Sequence, residues 1–307
     1  MPLFHPLRGP SRRPRWDLAL FVSVLGALAQ LLPAAPALAQ NAVVSHAEQP
    51  PRLIRKTTVY QAPPGVRLQA GDIVESNAGT VQIEWSNGAR FALGPASSVL
   101  VNDAGAAPAA SLLRGWGKFA TGAPAGGRLA LEAGLISLPA AGASGILRLA
   151  PEGAELFVES GAVVVTDNGP GGPTNSRAVT VGREQYAARL STRPLAVAPR
   201  APRLFVRQLP RAFLDPLIGI AARARAAEPR PQREIAAFDV AAWRDAAPAL
   251  RRRLAAQFAA RLEDAVFRNE VEDLLADQPE WREALRRQRS ASIRATNRAN
   301  TPRNHLF

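Results

Sequence analysis

Apolar and polar residues alternate from Gly65 to Val101 (GVRLQAGDIVESNAGTVQIEWSNGARFALGPASSVLV). Val81, Ile83 and Trp85 form one run, Phe91 and Leu93 a second, Val99 and Val101 a third. An apolar residue at every second position marks a strand with one buried face, because successive side chains point to opposite sides. Asn87-Gly88 separates the first two runs. A tight turn needs φ > 0, which Asn and Gly supply at little cost, so the stretch predicts a hairpin.

The same texture continues to about Leu195. Leu112-Leu113-Arg-Gly-Trp116-Gly-Lys-Phe119 is followed by a Gly/Ala/Pro turn near Gly122–Gly127, then by Leu129, Leu131, Leu135, Ile136, Leu138 and by Ile146, Leu147, Leu149. Later strands are Ala154–Val158, Gly161–Thr166 and Ala178–Val181, the last two separated by the polar stretch Asp167–Arg177. Many short strands with turn signals between them predict an antiparallel β sandwich or barrel-like sheet, with no fixed-period repeat.

The period then changes. Ala198 to about Arg233 is rich in Pro and Arg and reads as a connection, with Ile218-Gly-Ile-Ala-Ala-Arg good for a helical turn or two. From Asp239 apolar residues recur at three- and four-residue steps: Leu250, Leu254, Phe258, Leu262, then Val266, Phe267, Val271, Leu274 and Leu275. That is the stripe of an amphipathic helix or a broken pair. Asp277-Gln-Pro-Glu280 supplies a helix start, with Pro tolerated in the first turn, and opens a short last helix carrying Trp281 and Leu285. Beyond it Arg286, Arg287, Arg289, Arg294, Arg298 and Arg303 stand with no acid and few apolar groups, the composition of a disordered basic tail.

Charge and leader change the picture. Arg8, Arg12, Arg13 and Arg15 precede an apolar run from Leu18 to Leu32, and Ala37-Leu38-Ala39 closes it. Basic, apolar, then small is the layout of a cleaved secretory signal, and the run is short for a membrane span. Release into the periplasm as a soluble chain follows, or retention of the leader as an anchor. Disulfides are excluded because the chain has no Cys. Of the net +13, residues 201–307 hold 20 arginines against 13 carboxylates, an asymmetry that suits an anionic surface. Lipid headgroups, wall polymers and acidic proteins are the partners in reach of an exported chain; nucleic acid is not.

Candidate chemistry is sparse. Past residue 39 the histidines are His46 and His305 alone, so thiol–imidazole and Ser–His catalysis and ordinary zinc spacing are absent. Asp72 with Glu75, and Glu263, Asp264, Glu270, Glu272 and Asp273, are carboxylates better suited to a turn and to a solvated helix face paired with Arg261 and Arg268. Gly169–Gly172 lacks the Lys-Ser/Thr ending of a phosphate loop. Arg251–Arg253 form a solvated face or a docking patch. Trp85 belongs to the core by its alternation with Ile83; Trp116, between Gly115 and Gly117, is either core or an exposed stacking platform for a sugar. No catalytic, cofactor or metal residue is assigned.

Gly71-Asp-Ile-Val, the alternating strand, Asn87-Gly88, the second strand and Gly94-Pro-Ala-Ser resemble the FecR domain of bacterial envelope regulators. Val158-Glu-Ser-Gly161-Ala-Val163-Val-Val165 with Val179-Thr-Val181-Gly182 is similar to that domain's second half, whereas Ala143–Leu149 departs from its usual Arg-Gly-Thr element. The resemblance implies a stand-alone exported FecR-like module without catalysis. The division expected is a leader at 1–39, a linker at 40–56, the FecR-like β domain at 57–197, a Pro/Arg-rich linker at 198–235, a smaller α-helical region at 236–288 and a disordered basic tail at 289–307. Two functions fit: a binding or regulatory module that engages an envelope protein, and a wall-polymer or glycan-binding accessory protein. Oligomeric state is not set by the sequence.

Overall fold

The computed structural model describes residues 42–122, 127–169 and 177–300. The expected leader and Arg303 lie outside the described residues. Strands dominate, helices follow at the C-terminal end, and the expected fold class is the one observed.

Among the described residues seventeen strands make one mixed sheet folded into two layers that share a single long strand, β8 (Ala109–Ala120). The front layer runs β1 (Val43–Ala47), β5 (Val81–Glu84), β6 (Arg90–Leu93), the second half of β8, β11 (Ser144–Ala150), β12 (Gly153–Ser160), β15 (Tyr186–Leu190) and β16 (Ala196–Ala198). The back layer runs β17 (Arg230–Glu234), β3 (Thr58–Gln61), β2 (Arg52–Arg55), β4 (Ile73–Glu75), β7 (Ser98–Asp103), the first half of β8, β9 (Arg128–Ala133), β10 (Ile136–Ala141), β13 (Ala162–Asp167) and β14 (Arg177–Gly182). Neighbours are antiparallel except β8 with β9.

The predicted hairpin joins β5 to β6 with Val81 opposite Leu93 and Ile83 opposite Phe91. Only Gly88 takes positive φ there, at +84°. Asn87 works through its side chain instead: its Oδ1 accepts the Ala89 N–H at 3.0 Å and its Nδ2 donates to the Arg128 carbonyl. Trp85 is buried, as its alternation requires.

The glycines around Trp116 mark where β8 changes layer. Gly115 has φ +81°, and a Cβ there would lie 2.3 Å from Ser97 Oγ; one on Gly117 would lie 2.3 Å from the Phe91 ring. Both positions need the missing side chain.

Between the layers sits the main core, with Val44, Leu53, Val74, Ile83, Phe91, Leu112, Phe119, Leu147 and Leu156 among its members. Adjacent residues of the back layer face opposite ways. Leu53, Val74, Val99 and Leu112 point inward, while Ile54, Ile73, Leu100 and Leu113 point outward into a second core. Strands buried on both faces read as unbroken apolar pairs rather than alternation.

The second core is completed by helices α2 (Ala237–Ala241), α3 (Pro248–Phe258), α4 (Ala265–Leu275) and α5 (Pro279–Asn300). Leu250, Leu254, Phe258, Leu262, Phe267, Val271, Leu275, Trp281 and Leu285 are buried as their spacing predicts; Val266 and Leu274 face out.

Three parts of the expected division differ from the structure. Residues 40–56 supply β1 and β2 rather than a linker, because Val44, Leu53 and Ile54 are buried. The connection at 198–235 lies against the front layer and ends in β17, which pairs with β3. The last helix does not stop near Gln288 but continues to Asn300. Arg289, Ala291, Arg294, Ala295, Arg298 and Ala299 are good helix formers, and Glu272 of α4 holds Arg289 at 2.8 Å, so the helix persists where apolar residues run out.

Candidate interaction surfaces

The Pro/Arg-rich connection forms a strap across the outer side of the front layer. It contains α1 (Arg203–Gln208) and two 3-10 turns, Arg211–Phe213 and Ala221–Arg223. Phe205 is buried among Trp116, Tyr186 and Phe157, with ring centroids at 5.2, 5.4 and 6.5 Å. Phe213 is buried in the same cluster. Each phenyl group so buried contributes about 2–3 kcal/mol.

Polar side chains of the sheet hold the strap's backbone. Lys118, only 2 % exposed, spends all three donors: Glu159 Oε1 at 2.8 Å and the carbonyls of Phe213 and Asp215 at 2.7 and 2.9 Å. Arg90 donates to the Leu217 carbonyl and Gln82 to the Ile218 carbonyl, while Glu84 Oε1 accepts the N–H groups of Ile220 and Ala221. Beneath α1, Arg148 pairs with Glu155 at 2.6 Å and stacks over Trp116, and Tyr186 donates to Glu155. Burial, then that carboxylate, push the Tyr186 hydroxyl's proton loss well above its ordinary value. Trp116 is therefore a half-buried partner of Phe205 and not an exposed platform. A twelve-residue strand that crosses between layers leaves its outer aromatic for a later segment to cover.

The strap's outer side is of a different character. Leu204, Val206, Leu214 and Ile218 are 55, 57, 71 and 65 % exposed. Between them and beyond stand Arg200, Arg203, Arg207, Arg211, Arg223 and Arg225, without an ion pair or side-chain hydrogen bond among the described residues.

Five of the six arginines singled out in the sequence fall on α5 and are exposed, and three of those five are paired with acids. Arg286 and Arg287 both pair with Glu283, and Arg289 pairs with Glu272 of α4 at 2.8 Å. The hydrogen bond from Arg287 and the charge of Arg286 hold Glu283 below the usual carboxylate range. Arg294 and Arg298 have no partner among the described residues. Arg251 reaches Glu280, Arg253 reaches Asn102, and Arg252 faces solvent.

A groove of 670 Å³ runs between α3 and α5. Ala255, Ala256, Ala259, Ala284 and Ala291 line it together with Glu280 and Glu283, whose charges are held by Arg251 and by Arg286 and Arg287; Arg252 and Arg294 also line it and have no ion pair among the described residues.

Most of the candidate carboxylates have structural partners, although of the helical group it is Asp264 that pairs with Arg261, while Arg268 donates to the carbonyls of Leu262 and Glu263. Asp72 accepts the Gln69 N–H at 2.8 Å in its turn and pairs with Arg55 at 2.7 Å. Glu75 meets Arg52 at 3.1 Å, Ser98 at 3.0 Å and the Trp243 indole at 3.3 Å. Asp264 caps α4, accepting from Val266 and Phe267, and those bonds lower its pKa.

Asp239, which the sequence did not single out, is the best-held carboxylate: its side chain is fully buried and bonded by Arg52, Arg233 and the Ala236 N–H. Burial alone would raise its pKa, but those bonds outweigh it and the net shift is downward. This network ties α2 to β2 and β17. Among the described residues no group of three His, Cys, Asp or Glu is placed to hold a metal, and no helix is long and apolar enough to cross a membrane.

No family model and no curated protein matches this chain. Solved structures similar to it include crystal structures at 1.65 and 2.50 Å of a candidate anti-sigma factor from Parabacteroides distasonis ATCC 8503. The TM-scores are 0.36 and 0.35 at 13 % identity over 42 % of this chain. The matched region spans 59 % of the length of those solved chains.

Proposed function

We propose that this protein is a non-enzymatic, exported FecR-like binding and regulatory module that engages a protein partner in the periplasm, and that the groove between α3 and α5 receives an acidic amphipathic helix of that partner. The groove carries the reading: small alanines leave room for a helix to approach, and Arg252 and Arg294, the lining arginines that no carboxylate holds, complement carboxylates along its polar face. The sequence layout of residues 1–39 supports export, and the spacing of Gly71–Val101 supports the FecR-like class. The binding role agrees with carboxylates that serve as caps and ion pairs. The alternative, a wall-polymer or glycan-binding role, draws on the β face, Trp116 and the basic tail; Trp116 is half-buried against Phe205, and Arg286, Arg287 and Arg289 are paired with acids, so the partner-helix reading is favoured.

The test is site-specific photo-crosslinking in cells from Ala256 and Ala291, with Val164 as a distant exposed control. The expected result is one protein captured from both groove positions through an acidic helical peptide, and loss of capture in Arg252→Glu/Arg294→Glu. Capture of wall polymer, or of nothing beyond the Val164 pattern, would overturn the reading.

A further inference from the structure

We infer that the outer side of the strap is a docking surface for an anionic lipid bilayer. The surface is separate from the α3–α5 groove, so the inference stands or falls independently of the partner-helix reading.

Composition and placement lead to it. The strap crosses the front layer from Tyr186 of β15 to Glu84 of β5, so its residues have one side against the sheet and one side free. Both phenylalanines and every backbone anchor are on the sheet side. Four aliphatic side chains more than half exposed remain on the other, when burying any of them would stabilise the fold. They are interleaved with arginines that no carboxylate neutralises, and Asp215 is the one acid between Arg200 and Arg225.

Isolated aliphatics among unpaired arginines match a membrane–water interface. The aliphatics enter the acyl boundary, the guanidinium groups remain among phosphates, and neither requires a complementary protein shape. A protein hot spot concentrates aromatic anchors in its centre, and here the aromatics are turned inward. The cations of α5 compete poorly, since Arg286, Arg287 and Arg289 are paired with acids and Ile293 is its one large exposed aliphatic.

The test uses residues 40–307, which form one compact unit and lack the apolar leader. Vesicles of phosphatidylcholine with 30 mol% (about a third) phosphatidylglycerol are compared with phosphatidylcholine alone, a fraction chosen to give a physiological surface potential. The chain should sediment with the anionic vesicles only, and less as salt rises. Arg203→Ser/Arg207→Ser/Arg211→Ser should bind about a hundredfold more weakly, at about fivefold per arginine. Leu214→Ser/Ile218→Ser should also weaken binding, and should leave more of the residual binding salt-sensitive. Because the chain has no Cys, Leu214→Cys and Ser290→Cys can each carry an environment-sensitive dye. The Leu214 position should shift to the blue on anionic vesicles and the Ser290 position should not. A shift at Ser290 alone, wild-type binding by the strap variants, or equal binding to neutral vesicles would each overturn the inference.

Discussion

The two outer faces of the β sandwich are covered in different ways. On the back layer, helices α2–α5 bury a continuous apolar core from Ile54 and Leu113 through Trp243, Phe258 and Val271 to Trp281. On the front layer, the strap adds two buried phenyl rings and relies otherwise on side chains that grip its backbone. The first cover is held by many interchangeable contacts and the second by a few specific ones. Loss of one anchor should therefore loosen the strap locally, while loss of one core side chain should lower the stability of the whole molecule.

The largest effect is expected from removing both covers. A chain limited to residues 57–195 lacks β1, β2, β16, β17 and all helices and exposes Ile73, Leu100 and Leu113. It should show no cooperative thermal transition by circular dichroism. A sharp melt would mean that the helices decorate a self-sufficient domain.

Phe258→Ala, in the middle of the back cover, should cost about 3–5 kcal/mol in denaturant unfolding, since a fully buried ring is lost and a cavity left. Lys118→Met on the front should cost about 2–4 kcal/mol. Glu159 and two strap carbonyls then lose their donor, and the partial exposure of Glu159 keeps the figure below that of a fully buried pair. The sharper distinction is in kind: the Phe258 variant should melt lower as a unit, and the Lys118 variant should first become sensitive to proteolysis between Arg203 and Arg225.

Asp239→Asn should cost about 2–3 kcal/mol, less than a wholly buried pair because Arg52 and Arg233 keep some contact with water. The folded-state pKa of Asp239 lies below its unfolded value, so its contribution is complete above about pH 3.9 and is lost as the pH falls through the lower folded value. Unfolding free energies measured from pH 7 down to pH 2 should fall at the acid end for the wild type, and that part of the slope should flatten in the variant. The smallest effect belongs to Arg294→Ser/Arg298→Ser, exposed on α5, which should leave the melting temperature unchanged within error.

The difference between the covers also explains what the sequence disclosed. Val81–Val101 and Leu250–Leu275 were legible because a period of two or of three to four residues is written by the residues themselves. The strap was not. Its anchors are carbonyls of Phe213, Asp215 and Leu217 held by side chains roughly a hundred residues earlier, and a run of Pro and Arg carries no period. Phe205 and Phe213, the two aromatic residues of the connection, are the available signal. Trp116 was open between core and platform because its partner, Phe205, is distant in sequence. The arginines of α5 were found by composition, but their pairing with Glu283 and Glu272 depends on the helix extending past Arg286 and on its packing beside α4.

Hydrogen–deuterium exchange on residues 40–307 tests the contrast most directly. Amides from Phe205 to Ile220 should exchange through a local opening well before those of α3 and α4, and Lys118→Met should speed the strap while leaving α3 and α4 at wild-type rates. Equal protection of strap and helices, or a Lys118 variant that accelerates both alike, would contradict the account and make the two covers one cooperative unit.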